Sequence, residues 1–243
     1  MRSESVNSKL DRRLLMNDFD ELTLDPPGTI AVIGGGPLGV EASLYGRYLG
    51  YEVTLFETHT VGHSGEPKRN EPLPILPDQC LSSLAISALS AQHHESGPQV
   101  LPMTYGQWID EGLGRLCQSD LLRGRVREHT AVQMIEMKPV ETDDEDPDDV
   151  PDDFCLHLRN EGGDETAIFE SVIIATGQGG EPKIANATDT SSVDYLFRIT
   201  GNSDDLNSND LNAHLRAGYR QISKIFASLM GREDLDLYRP KRV

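Results

Sequence analysis

The stretch that most constrains this chain is TIAVIGGGPLGVEASLYGRYLG, Thr29 to Gly50, followed at once by YEVTLFE, Tyr51 to Glu57. A continuous apolar run such as TIAVI suits a strand buried on both faces of a parallel sheet. Glycines arrive where that strand ends, and the residues after them have helical composition. Gly50 stands where such a helix needs a left-handed terminator. The second apolar run then closes a β-α-β unit. Gly34 to Gly39 spell G-x-G-x-x-G, and Glu57 falls at the end of the second strand, about 20 residues further on.

Each part of this unit has a physical role. Gly34 permits the tight turn out of the strand. Gly36 has no side chain, so a pyrophosphate can approach the backbone. Gly39 lets the helix pack closely on the sheet. Pro37 suits the first helical turn, where its missing N–H is no loss. The remaining N–H groups of Gly34, Gly35, Gly36, Leu38 and Gly39, with the helix dipole, favour a diphosphate. Glu57 can accept hydrogen bonds from both hydroxyls of an adenosine ribose, and its charge disfavours the 2′-phosphate of NADP.

At 243 residues the chain fits one α/β domain with insertions. Residues 1–27 read as a polar arm, 28–236 as the domain and 237–243 as a basic tail. The formal net charge of −18 argues against nucleic acid and anionic membrane as partners. Nine of the acids crowd between Glu141 and Asp153, a run best read as a solvated hairpin extension. It lacks the glycine and final glutamate of an EF-hand loop. No apolar stretch approaches the roughly 18 residues of a membrane span, and the N-terminus has no signal core. Cys80, Cys117 and Cys155 form no C-x-x-C and no ligand-like pairing with the seven histidines, so no metal site is expected. A soluble protein of the reducing cytoplasm is the expectation.

Further along, His59 to Pro74 reads as a long exposed loop, and Asp78 to His93 as a helix starting after Pro77. Thr104 to Leu122 continues in helical mode, interrupted by Gly112 and Gly114. AVQMIEM and FCLHLRN are strand-like pieces flanking the acidic run, and TAIFESVIIATG runs into an apolar strand. Gly179 to Ser192 reads as loop and Asp194 to Ile199 as a short strand. A final helix from about Asp210 keeps Leu211, Leu215, Gly218, Ile222, Ile225, Phe226 and Leu229 on one stripe and ends at Gly231.

Three separated segments resemble the two-dinucleotide-binding-domain flavoproteins, which include pyridine nucleotide-disulfide reductases and flavin-containing monooxygenases. The first is IAVIGGGPLGVEAS with Glu57. The second is TAVQMIEM followed by SVIIATG and Pro182. The third is LFRITGN with a helix containing RAGYRQI. The resemblance implies a Rossmann-like FAD/NAD(P)-binding fold: a parallel sheet with helices on one side and a small antiparallel β-meander. It implies FAD as cofactor, with the backbone near Val132 contacting adenine and Ala175, Thr176 and Gly177 marking the return from the meander to the sheet. It also places Gly201 and Asn202 near the flavin ribityl chain. The family's aspartate is replaced here by Asn202, which offers a carbonyl but no charge; Asp204 or Asp205 would compensate. Family members insert a second, nicotinamide-binding domain between the ATG turn and the closing strand, and only about twenty residues stand there in this chain. The redox-active cysteine pair is missing too.

No residue is singled out as catalytic. Cys80 in the first turn of its expected helix would have a favoured thiolate, although a buried thiol is the simpler reading. His93 and His94 suit the helix C-terminus, and His63 sits in a loop that passes near flavin or substrate in this fold. Tyr105 and Trp108 read as packing residues. Asp78–His93 and Thr104–Leu122 are expected to cover the flavin side. The leading expectation is an FAD-dependent oxidoreductase lacking its own nicotinamide domain. It would act on a small-molecule substrate or take electrons from a separate protein. The alternatives are a non-catalytic dinucleotide-binding sensor or partner subunit and, after it, a single-domain NAD-dependent dehydrogenase.

Overall fold

The β-α-β unit is built as β1 (Thr29–Ile33), α1 (Pro37–Leu49) and β2 (Glu52–Phe56) in the computed structural model, which describes residues 23–92, 102–140, 151–177, 179–185, 193–201 and 210–239. Gly50 takes the left-handed conformation (φ +95°) that ends α1. The chain then adds β3 (Val126–Arg127) beside β2. It makes the meander β4 (Ala131–Lys138), β5 (Asp153–Asn160) and β6 (Gly163–Phe169). It returns to the first sheet through β7 (Ser171–Ile174), and β8 (Lys183–Ala185) and β9 (Leu196–Arg198) follow.

The resulting main sheet is wholly parallel, with order β3-β2-β1-β7-β9. Every residue of β7 and all but Thr29 of β1 are buried, as an apolar run covered on both faces requires. Val53 of β2 packs on α1 at Gly46, where Phe226 of the last helix, α3 (Leu211–Leu229), also presses. Phe56, pointing the other way, meets Phe169 of the meander edge-on at 5.7 Å. Helices therefore lie on one face of the sheet and the meander on the other, giving the Rossmann-like α/β arrangement. The stripe on α3 is buried from Leu215 to Leu229, with Leu211 half-exposed.

Several elements differ from expectation, each for a local reason. The TAIFESVIIATG run is two strands. Thr29 donates to the Glu170 carboxylate from its N–H (2.6 Å) and its hydroxyl (2.9 Å), fixing a corner between β6 and β7. Part of the expected loop after Gly179 is β8, which pairs parallel with β4 and makes the meander a four-stranded mixed sheet. The helix expected from Asp78 is α2 (Ser83–Ala91), because the Ser82 hydroxyl caps it by accepting from the Ala85 N–H. Ahead of it Pro77–Gln79 makes only one 3-10 turn. Around Trp108 the chain is helical without a break: Tyr105–Gln107 in α, Trp108–Gly114 in π and Arg115–Cys117 in α. Gly112 and Gly114 are absorbed in the wide π turns. The loop after Glu57 is not wholly exposed: it holds a 3-10 helix, His63–Lys68, between buried Val61 and Leu73. The acidic stretch 141–150 lies outside the described residues. Among those residues no helix is long and apolar enough to cross a membrane.

Candidate dinucleotide site

From β1 the chain builds outward through β2 to β3, then returns to the other side of β1 as β7. The carboxyl ends of β1 and β7 are thus the point where strand order reverses, the position at which open α/β sheets leave a crevice. The ends of β1, β2 and β7 are laced together. Ala175 N–H donates to the Ile33 carbonyl (2.8 Å) and Gly34 N–H to the Phe56 carbonyl (2.8 Å). Gly34 lies at φ +112°, and a Cβ there would sit 2.6 Å from the Ala175 oxygen. A Cβ on Gly39 would sit 1.8 Å from the Gly34 oxygen. Gly34, Gly39 and Ala175 therefore form one backbone contact with no room for side chains.

Gly36 behaves differently. A Cβ there would meet nothing within 4 Å. Gly36 is also the N-cap of α1, no side chain caps the helix, and Pro37 opens it. The first-turn N–H groups face outward at a bare helix N-terminus, which carries partial positive charge. Leu38, the next residue, points inward and is buried against Gly218 of α3.

Glu57 is fixed from two sides. Its Oε2 accepts from the Gly35 N–H at 2.6 Å and its Oε1 from the His59 N–H at 2.8 Å. Each oxygen keeps a lone pair for another donor. Gly35 must be small here, since a Cβ would lie 2.9 Å from the Glu57 side chain. The loop beyond is pinned to the same turn by a Gly62 N–H to Gly35 carbonyl bond of 2.9 Å. On that loop His59 and His63 stack with ring centroids 4.1 Å apart.

The remaining expected positions are dispersed around this edge. Thr130 N–H donates to the Glu57 carbonyl, and Val132 follows two residues later, paired with Leu158 in the meander. Thr176 and Gly177 continue from Ala175 as a turn, closed by Gly179 N–H to the Thr176 carbonyl. Gly201 lies beyond β9 at φ +64°, pressed against the His214 ring. The Thr200 and Gly201 N–H groups both donate to Gln221 Oε1 of α3, at 3.1 and 3.0 Å. Asn202, Asp204, Asp205, His93 and His94 lie outside the described residues.

Cys80 is not in a helix first turn. It precedes the Ser82 cap and is buried, and burial pushes its thiol up to about 11. Burial likewise pushes Cys117 up to about 12, with the Glu128 charge adding to it. Trp108 is buried and Tyr105 packs beside it. Two features were not read from the sequence. Glu41 of α1 is buried, and desolvation pushes its carboxyl up to about 7; an acid four residues past Pro37 gave no sign of facing inward. Glu136, Cys155 and His157 bring their ligand atoms within 4.8 Å of one another. The C-x-H spacing was the visible part of that signal; the cross-strand register that adds Glu136 was not.

The glycine contacts, the bare helix end and the anchored carboxylate fit the diphosphate and ribose of an adenine dinucleotide. No family model matches the chain, and no curated protein does. Among solved structures it is similar to a bacillithiol disulfide reductase from Bacillus cereus, at 15% identity and a TM-score of 0.41, covering 62% of this chain and 40% of that one. It is similar to an oxidized steroid monooxygenase bound to NADP, at 18% identity and a TM-score of 0.43, covering 62% and 26%. It is similar also to the FAD-bound form of OTEMO, at 20% identity and a TM-score of 0.44, covering 66% and 27%. The aligned part spans less than half the length of each of these proteins.

Proposed function

We propose that this chain binds FAD at the carboxyl edge of its parallel sheet and serves as an oxidoreductase component. The observation that carries the reading is the pairing of an open Gly36 at the α1 N-terminus with Glu57 anchored on Gly35. The first would receive the diphosphate and the second the adenosine ribose. Preference for FAD over NAD rests on the sequence resemblance, whose segments occur in family order through the meander and the closing turn. Gly34, Gly35, Gly36, Leu38 and Gly39 would hold the diphosphate. Ala175, Thr176, Gly177, Gly201 and Asn202 would lie along the rest of the molecule. When bound, FAD would supply the hydride and electron chemistry, leaving to the protein binding and orientation. The reductant would be a small substrate or a separate donor.

One observation favours a second reading, a dinucleotide binder without turnover. β7 and β9 are adjacent, with Val172 opposite Leu196, and residues 175–195 between them leave no space for a nicotinamide-binding domain. Cys80, Cys117 and Cys155 are all buried, so a surface redox pair is not available from them.

The test is the visible spectrum of the purified protein before and after titration with FAD, with NAD titrated in parallel. Saturable FAD binding, with bleaching by a nicotinamide or a candidate substrate, supports the oxidoreductase. Saturable binding with bleaching by dithionite alone supports the second reading. Failure to bind FAD overturns both, and tight NAD binding in its place identifies a nicotinamide protein.

A further inference from the structure

The meander carries a cluster that the dinucleotide reading leaves unused. β4 and β5 run antiparallel with Glu136 directly opposite Cys155. His157 is two residues beyond Cys155 on the same strand, so its side chain emerges on the same face. This sheet geometry converges a carboxylate, a thiol and an imidazole on one point. Their ligand atoms all lie within 4.8 Å of one another, and Glu136 Oε2 stands 3.2 Å from His157 Nε2. In a tetrahedral zinc site the edges between such donors are about 3.3 to 3.6 Å, given metal–ligand bonds of about 2.0 to 2.3 Å. The Glu–His distance of 3.2 Å is within about 0.1 Å of that range, and the Cys155 sulfur lies within 4.8 Å of both other ligand atoms.

We propose that Glu136, Cys155 and His157 are three protein ligands of a zinc(II) site on the meander, with water in the fourth position. The donor set selects the metal. A thiolate and an imidazole together favour zinc over magnesium or calcium, which take oxygen ligands, and a tetrahedral S/N/O set is one zinc accepts. Access fits as well. Cys155 is buried at the base of the cluster, while the Glu136 and His157 side chains are about a third exposed, at 32% and 36%. An ion would enter from the solvent side past these two, and water would complete its shell there. The site is separate from the Gly34–Glu57 edge and does not depend on FAD.

The test uses the full chain stripped with a chelator and titrated with cobalt(II), a spectroscopic stand-in for zinc. The expected result is one cobalt per chain, with a thiolate-to-cobalt charge-transfer band in the near ultraviolet, and displacement of that band by zinc. Cys155→Ser should abolish the band, although Cys80 and Cys117 remain. Because Cys155 is buried, His157→Gln and Glu136→Gln serve as companion variants at half-exposed positions, with circular dichroism checking that they fold. Each should weaken cobalt binding by about tenfold or more. Absence of a thiolate band in the parent protein overturns the proposal. So does a band that survives Cys155→Ser, or binding by His157→Gln indistinguishable from the parent.

Discussion

The Gly35 N–H donates to Glu57 Oε2 at 2.6 Å, which makes the glycine turn after β1 and the acid after β2 a single unit. Glu57 thereby has a structural duty in addition to any role with ribose. Glu57→Gln retains one carbonyl oxygen for two backbone donors, and its new amide group would face the other N–H. We expect a loss of about 1–2 kcal/mol in stability, the range for removing a charge-assisted bond and leaving a donor unpaired. FAD affinity should fall with it by about tenfold or more. Urea unfolding and flavin fluorescence titration measure the two effects. A variant with unchanged midpoint and unchanged affinity would remove Glu57 from both roles.

Gly36 and Gly39 should respond oppositely to the same small change. Gly39→Ala places a methyl where the Gly34 carbonyl oxygen already stands, so α1 must shift away from the sheet. Overpacking of this kind costs about 1–3 kcal/mol or more. Gly36→Ala meets open space at φ −72°, a conformation alanine accepts. Its melting temperature should fall by no more than about 4 °C, because alanine replaces glycine as N-cap at a cost of about 0.5–1 kcal/mol. Its affinity for FAD should nonetheless drop, because the methyl occupies the approach to the helix end. Thermal unfolding beside FAD titration separates the two. Equal affinity of Gly36→Ala and the parent would move the diphosphate elsewhere.

Much of the geometry at the Gly34–Glu57 edge was legible because local rules dictate it. An apolar strand, a glycine turn, a proline-led helix and a second strand each announce themselves within a few residues. The roles of Gly34 and Gly39 follow from the steric demands of that turn. What was not legible depends on register and on long-range hydrogen bonds. The break at Glu170 comes from a carboxylate reaching Thr29, 141 residues away in sequence. The strand β8 exists because β4 offers it an edge, since Lys183–Ala185 has no alternating pattern of its own. The late start of α2 is the work of one serine cap that competed with a plausible proline start. The Glu136–Cys155–His157 cluster needs the hairpin register, which the acidic run between its strands conceals.

Gln221 is expected to position the turn that closes the site. Its Oε1 accepts from both Thr200 and Gly201, and its Nε2 donates to the Thr200 hydroxyl at 3.2 Å. Gln221→Leu keeps the bulk but takes away the acceptor of the N–H of Gly201, a buried glycine. We expect destabilisation of about 1–3 kcal/mol. Gln221→Glu, which keeps the acceptor oxygen, should recover most of it. Comparing the two variants by urea unfolding separates the hydrogen bonds from side-chain volume. If the leucine variant matches the parent, the turn is held by contacts other than Gln221, such as that of His214 with Gly201.

Glu41 should make stability fall as pH rises. It lies inside α1, its Oε1 is buried without a hydrogen-bond partner, and the rings of Tyr219 and Tyr238 are near enough for its charge to push their phenols further up. Burial holds its carboxyl up at about 7 against an ordinary 4.5, and the Ser82 and Tyr238 hydroxyls only partly offset this. Between those two values the folded chain keeps a proton that the unfolded chain releases. Unfolding therefore becomes easier as pH increases across this window, and stability levels off above about 7. The full span corresponds to on the order of 3 kcal/mol. Glu41→Gln mimics the protonated acid and should remove the slope while matching the parent near pH 4.5. Urea unfolding of both proteins from pH 4.5 to 8 gives the difference directly, because the other carboxylates contribute alike to each. A difference that stays flat with pH would mean that Glu41 ionises in the folded chain as it does in water.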